Sequence, residues 1–182
     1  MSKVICVFGN SSPEPGSADY EDAVGLGSLL ARSGFAVCSG GYYGVMEAVS
    51  RGAREAGGHT IGMTTPFYKL APNRYLAEEI PVSRWQDRLF ALIEKGDGYV
   101  VMKGGTGTLL ELAAIWESLN KRAIAPRPCV AMDFWAPVLH CVRAVERDRR
   151  GRTWDECNAG LIQLASSPDQ AVELLSRAFG IF

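Results

Sequence analysis

Several stretches of this chain are short, apolar and rich in β-branched residues, with glycine or polar residues at their ends: KVICVF (3–8), FAVCS (35–39), GYVVM (98–102) and PCVAMD (128–133). None alternates apolar with polar positions. A strand without a wet face must be covered on both sides, and the usual solution is a parallel sheet between helices. Helical patterns stand between the runs, as that solution requires.

Along the chain the order is regular. KVICVF gives way to a polar loop, GNSSPEPGS. A helix follows over ADYEDAVGLGSLLARSG, where Tyr20, Ala23, Val24, Leu26, Leu29 and Leu30 share one face and Gly34 ends it. FAVCS is cut off by GGYYG, and VMEAVSRGAREAGG is helical. HTIGMT reads as a third strand. TPFYKLAPNRYLAEEIPVS, broken by prolines, reads as irregular, with room for a short strand at YLAEEIPV. RWQDRLFALIEKG is amphipathic, with Trp85, Leu89, Leu92 and Ile93 on one side. After GYVVM comes the helix TLLELAAIWESLNKR, whose Leu112, Ile115, Trp116 and Leu119 look like core. PCVAMD, a helix over FWAPVLHCVRAVERDR, a strand within NAGLIQLAS and a helix over SPDQAVELLSRAFG complete the pattern. Ser166 or Ser167 caps that last helix, with Pro168 just inside. The predicted fold class is α/β: a Rossmann-like, doubly wound, mostly parallel sheet with helices on both faces, in one domain over residues 1–182.

Composition narrows function chiefly by exclusion. There are 19 basic and 20 acidic residues, so the balance points to no nucleic-acid partner. The basic run RAVERDRRGR reads as a solvated helix end. No apolar stretch approaches the roughly 18 residues of a membrane span, and MSKVICVFG does not match a secretory signal. Cys6, Cys38, Cys129, Cys141 and Cys157 have no framework spacing and read as reduced, mostly buried thiols of a cytoplasmic protein. His59 and His140 alone make no metal site, and no metal is expected.

Three strand-to-helix turns are unusual: FGNSSPEPGS, SGGYYG and KGGTGT. In a parallel sheet they share one edge, where ligands bind. Gly104, Gly105 and Gly107 let the backbone bend and an anion come close. The amides at the head of the following helix, with the hydroxyls of Thr106 and Thr108, favour a phosphate. Gly40 and Gly41 in the second turn, and Ser11 in the first, are further candidates. The pattern is neither a P-loop nor GxGxxG, and tight turning alone is the other reading of one such loop.

Two readings of Glu111 stand open. TLLE is a capping box, with Thr108 as N-cap and Glu111 reaching back; alternatively Glu111 lies beside a bound phosphoribosyl group. Arg88 is singled out by geometry. Counted back from Gly96 it sits about 12 Å up its helix, and counted forward from Gly98, Met102 sits about 13 Å up the strand. The arginine is therefore level with the glycine turn. Tyr42 and Tyr43 could flank a base or cover the sheet end, and Glu47 falls in the first turn of its helix.

This constellation resembles the LOG family, whose signature is PGGxGTxxE with an arginine on the preceding helix. KGGTGTLLE (103–111) matches every fixed position but the first, and Arg88 lies fifteen residues before Lys103. SGGYYGVMEAVSRGAREAGGHTIGM resembles the second glycine segment and VFGNSS the first strand and loop, so that the likeness spans roughly residues 3 to 135. It implies hydrolysis of the N-glycosidic bond of a nucleoside 5′-monophosphate, AMP or a cytokinin nucleotide, to free base and ribose 5-phosphate. By position it makes Arg88 and Glu111 the catalytic pair and gives the phosphate to residues 104–108. It calls for no cofactor, and implies a homodimer with contacts near Arg88 and Trp116. Lys103, in place of the motif proline, would add positive charge near the phosphate. GVMEA also resembles molybdenum-cofactor carrier proteins, which makes a non-catalytic carrier or nucleotide-binding protein the alternative.

Overall fold

A computed structural model describes residues 2–150 and 160–181. Its strands are β1 (Val4–Phe8), β2 (Ala36–Ser39), β3 (Thr60–Thr64), β4 (Glu78–Pro81), β5 (Gly98–Val101), β6 (Cys129–Met132) and β7 (Gln163–Ala165). The helices are α1 (Ala18–Arg32), α2 (Val45–Glu55), α3 (Trp85–Lys95), α4 (Thr106–Asn120), α5 (Ala136–Arg150) and α6 (Pro168–Phe179), with 3₁₀ turns at Pro66–Tyr68 and Asp133–Trp135. Every described strand pairing is parallel, in the order β4-β3-β2-β1-β5-β6-β7. The predicted α/β Rossmann-like class is what the chain adopts.

The alternation of side chains along each strand separates two cores. Ile5, Val7, Val37, Val100 and Val130 face α1, α2 and α6. Cys6, Phe8, Ile61, Tyr99, Val101 and Ala131 face α3, α4 and α5. With both faces filled, the central strands are buried in all but Val4, at the start of β1, which explains their unbroken apolar runs. On the first face α1 and α2 cross closely at two glycines. A Cβ on Gly52 would lie 1.9 Å from the Val24 carbonyl oxygen, and one on Gly27 2.1 Å from that of Val49.

The chain winds outward from β1 to β4, returns through α3, and continues from β5 on the other side of β1. Winding therefore reverses between β1 and β5, where the carboxyl ends of the strands leave a crevice. The β1–α1, β2–α2 and β5–α4 loops meet there. The Asn10 N–H donates to the Lys103 carbonyl at 3.1 Å, and the Asn10 carbonyl accepts from the Val45 N–H at 2.9 Å.

Several expectations shift by local chemistry. Ser167 is the residue that caps α6, accepting from the Gln170 N–H, with Pro168 at the first position. Trp85, expected on the inner face of α3, is exposed and donates its indole N–H to the Tyr68 hydroxyl at 2.7 Å. Arg88 takes its place in the inner stripe beside Leu92. Cys6, Cys38 and Cys129 are buried and Cys141 is exposed. Cys157, residues 151–152 of the basic run and the first two residues of NAGLIQLAS lie outside the described residues. No helix among the described residues is long and apolar enough to cross a membrane.

Candidate functional site

The crevice holds a cavity of about 430 Å³ lined by the three loops, by α4 and by the segment after β3. Its walls include Ser11, Gly105, Thr106, Gly107, Thr108, Arg88 and Glu111.

The glycine turn forms the polar end. Helix α4 starts at Thr106, with Gly105 as N-cap in extended backbone and no side-chain cap. The Gly105 carbonyl takes the Leu109 N–H at 2.9 Å. The N–H groups of Thr106, Gly107 and Thr108 have no acceptor among the described residues. Three free donors stand at the positive end of a 15-residue helix and open into a cavity, an arrangement suited to an anion. A Cβ on Gly105 or Gly107 would meet nothing within 4 Å, so the space before those residues is open to a ligand. Gly104 has a different task. It does not line the cavity, and a Cβ there would strike the Thr108 hydroxyl at 2.2 Å.

The start of α4 settles the first reading of Glu111. Thr108 is buried inside the first turn and is not the N-cap, so Glu111 closes no capping box. It is turned toward the cavity instead, partly buried. Burial raises its pKa to about 7, and the positive charge of Arg88 only partly opposes that rise. Desolvation outweighs the arginine's charge at this carboxyl.

Arg88 is 7% exposed, a rare state for arginine that demands partners. Its Nε donates to the Met63 carbonyl and its Nη2 to the Gly40 carbonyl at 2.7 Å. The guanidinium carbon lies 5.6 Å from each of the Tyr42 and Tyr68 ring centroids. Among the described residues it has no carboxylate within 4 Å, so its charge remains available to a ligand. The close approach explains Gly40, where a Cβ would sit 1.9 Å from Arg88 Nη2. Gly40 and Gly41 support the site from beneath and do not line it.

Lys103 does not supply the phosphate-side charge expected of it. Its ammonium pairs with Asp19 at 2.9 Å on the first turn of α1, outside the cavity lining. Sequence reasoning passed over Asn10, Met46, Tyr68 and Leu70, which all line the cavity. For Tyr68 and Leu70 a signal existed: large apolar residues in a proline-flanked stretch with neither helical nor strand period.

The profile of the SLOG cluster4 family matches residues 2–130, more than half of the chain and all of the cavity lining. The chain belongs to that family. A protein of Mycobacterium tuberculosis named cytokinin riboside 5′-monophosphate phosphoribohydrolase is 30% identical over 134 residues, covering 72% of this chain and 71% of its own. A rice protein (Oryza sativa subsp. japonica), named as a probable enzyme of that kind, is 33% identical over 124 residues, covering 65% of this chain and 55% of its own. The chain spans about half the length of the rice relatives it matches. Among solved structures, the molybdenum cofactor binding protein of Rippkaea orientalis aligns over 98% of both chains with a TM-score of 0.76 at 24% identity, a likeness of fold. The LOG resemblance read from KGGTGTLLE is thus matched by named relatives at about 30% identity.

Proposed function

We propose that this protein is a phosphoribohydrolase that cleaves the N-glycosidic bond of a nucleoside 5′-monophosphate, AMP or a cytokinin nucleotide. The reading is carried by one convergence: a helix start with no side-chain cap, a cavity-facing carboxyl and an arginine without a carboxylate partner among the described residues line a single cavity. The named relatives support the same class of reaction.

In this reading the 5′-phosphate lies on the N–H groups of residues 106–108, with the Thr106 and Thr108 hydroxyls beside it. That anchor supplies binding energy remote from the bond that breaks. The C1′–N bond then cleaves, its electron pair leaving with the base, and positive charge grows on the ribose as in glycoside hydrolysis. Ionised Glu111 stabilises that charge and takes a proton from the water that attacks C1′. The proton passes to the departing base, so that one water yields free base and ribose 5-phosphate. Arg88 holds the substrate against Glu111. A carboxyl with a pKa of about 7 can both accept and return a proton at neutral pH.

The test is incubation of the purified protein with AMP and with its N6-isopentenyl analogue, followed by chromatography for free base. Release of base from either, abolished in Glu111→Gln, supports the assignment; tight binding without release overturns it. The second reading is a non-catalytic carrier of a phosphorylated pterin or nucleotide. It draws on the likeness in fold to cofactor-binding proteins over nearly the whole chain and on GVMEA around Glu47. Glu47 sits in the first turn of α2 and is not part of the cavity lining. A chromophore that co-purifies, with no base released, would favour the carrier.

We further propose a homodimer. Leu109 and Val142, both exposed, line an apolar groove of about 160 Å³ between α4 and α5, which includes Trp116. Light scattering should give twice the 19.7 kDa of one chain; a monomer at micromolar concentration refutes it.

A further inference from the structure

The segment between β3 and β4 is pinned at both ends. At its start, the Tyr42 hydroxyl donates to the Thr65 carbonyl at 2.7 Å and accepts from the Thr65 N–H at 2.7 Å. At its end, the Asn73 N–H donates to the Gly41 carbonyl at 2.8 Å, and its side-chain amide donates to the Tyr42 carbonyl at 3.1 Å. All four bonds run to the SGGYYG turn. Between the pins, the Thr65 side chain caps the 3₁₀ turn and Lys69 adopts a left-handed φ of 52°. Tyr68 and Leu70 come to line the cavity, 37% and 48% exposed, and Phe67 beside them is 66% exposed. Tyr68 is braced by the Trp85 indole and packs edge-on to Tyr42, with ring centroids 5.5 Å apart. A fastened loop that holds large apolar side chains in water suggests that a ligand covers them.

The location decides which part of a ligand that is. The segment follows β3, whereas the anion-binding turn follows β5. With β2 and β1 between them, the two lie three strand spacings apart, about 14 Å. The lining near the segment is largely aromatic and apolar, with Tyr43, Met46, Tyr68 and Leu70, and the Arg88 guanidinium lies 5.6 Å from the Tyr68 ring centroid. We infer that residues 65–73 form the wall against the base of the nucleotide, with Tyr68 and Leu70 as specificity-determining contacts and Tyr42 as the positioning residue that pins them. This rests on the nucleotide reading above. Recognition is by stacking and apolar contact, which depends on the face of the base more than on its hydrogen-bonding edge.

Calorimetry and inhibition kinetics on the whole protein test it, comparing AMP with ribose 5-phosphate, which has the same phosphate and sugar but no base. Tyr68→Ala should weaken AMP about tenfold, equivalent to about 1.4 kcal/mol, while leaving ribose 5-phosphate within twofold of wild type. Tyr42→Phe keeps the ring against Arg88 and removes both bonds to Thr65. It should raise KM for AMP at least threefold with kcat nearly unchanged, again sparing ribose 5-phosphate. Tyr68 is on the surface, so Tyr68→Ala remains informative if Tyr42→Phe folds poorly. Equal weakening of both ligands, or none of either, overturns the inference. Wild-type protein that binds AMP without cleaving it removes the hydrolase reading alone, since dissociation constants then replace KM in the same comparison. Wild-type protein that binds neither ligand ends both.

Discussion

Glu111→Gln should make the folded protein more stable at alkaline pH while removing its activity. The folded state holds the Glu111 proton with a pKa of about 7, against 4.5 for an unperturbed glutamate, because the carboxyl is buried. Between those values the folded protein binds more protons than the unfolded chain, so stability falls as pH rises from about 4.5 to 7. At 1.36 kcal/mol per pH unit the full cost is about 3 kcal/mol, and partial exposure of the side chain reduces it to about 2 kcal/mol. Glutamine carries no charge and escapes that cost. For a chain of this size each kcal/mol moves Tm by about 2–4 °C, so the variant should melt about 4–8 °C higher at pH 8. At pH 4, where the carboxyl is protonated in both states, the gap should close to about 2 °C or less. Scanning calorimetry at the two pH values measures this, and base release from AMP should fall at least about 100-fold. A variant that melts lower at pH 8, or a gap that does not change with pH, would refute the reasoning that burial dominates at this carboxyl.

The same carboxyl sets the pH profile: if its ionised form takes the proton from water, kcat/KM should rise with pH and level off above about 7, in wild type only. Arg88→Lys retains the charge but not the planar fork that serves the Met63 and Gly40 carbonyls. It should cost about 2 kcal/mol in urea unfolding and lower turnover at least about tenfold. Gly107→Ala faces open space and should hold or raise Tm, since alanine favours the helix by up to about 1 kcal/mol. If the N–H groups there receive the phosphate, it should also raise KM for AMP about tenfold or more. Gly52→Ala drives a methyl into the Val24 carbonyl where α1 crosses α2; it should destabilise by about 1–3 kcal/mol with KM unchanged in the folded fraction.

What the sequence disclosed and what it withheld divide along a physical line. The apolar runs announced buried parallel strands because a strand covered on two faces has no polar alternation. The level of Arg88 followed from two fixed rises, of helix and of strand, so simple counting brought it to the cavity lined by residues 105–108. The glycine turn was legible because it is made of consecutive residues whose own backbone N–H groups open into the cavity. Other features depend on contacts between distant residues. TLLE satisfies a capping box locally, yet Gly105 took the N-cap position and freed Glu111 for the cavity. The proton affinity of Glu111 is set by the closure of walls from five segments. Tyr42 and Thr65 are 23 positions apart, and no period or motif links them. The group that would anchor a substrate is therefore written in a short stretch, while the groups that would choose among substrates depend on long-range packing. Relatives that share KGGTGTLLE can then share a phosphate anchor and still differ in the base they accept, and the place to look for that difference is the segment after β3.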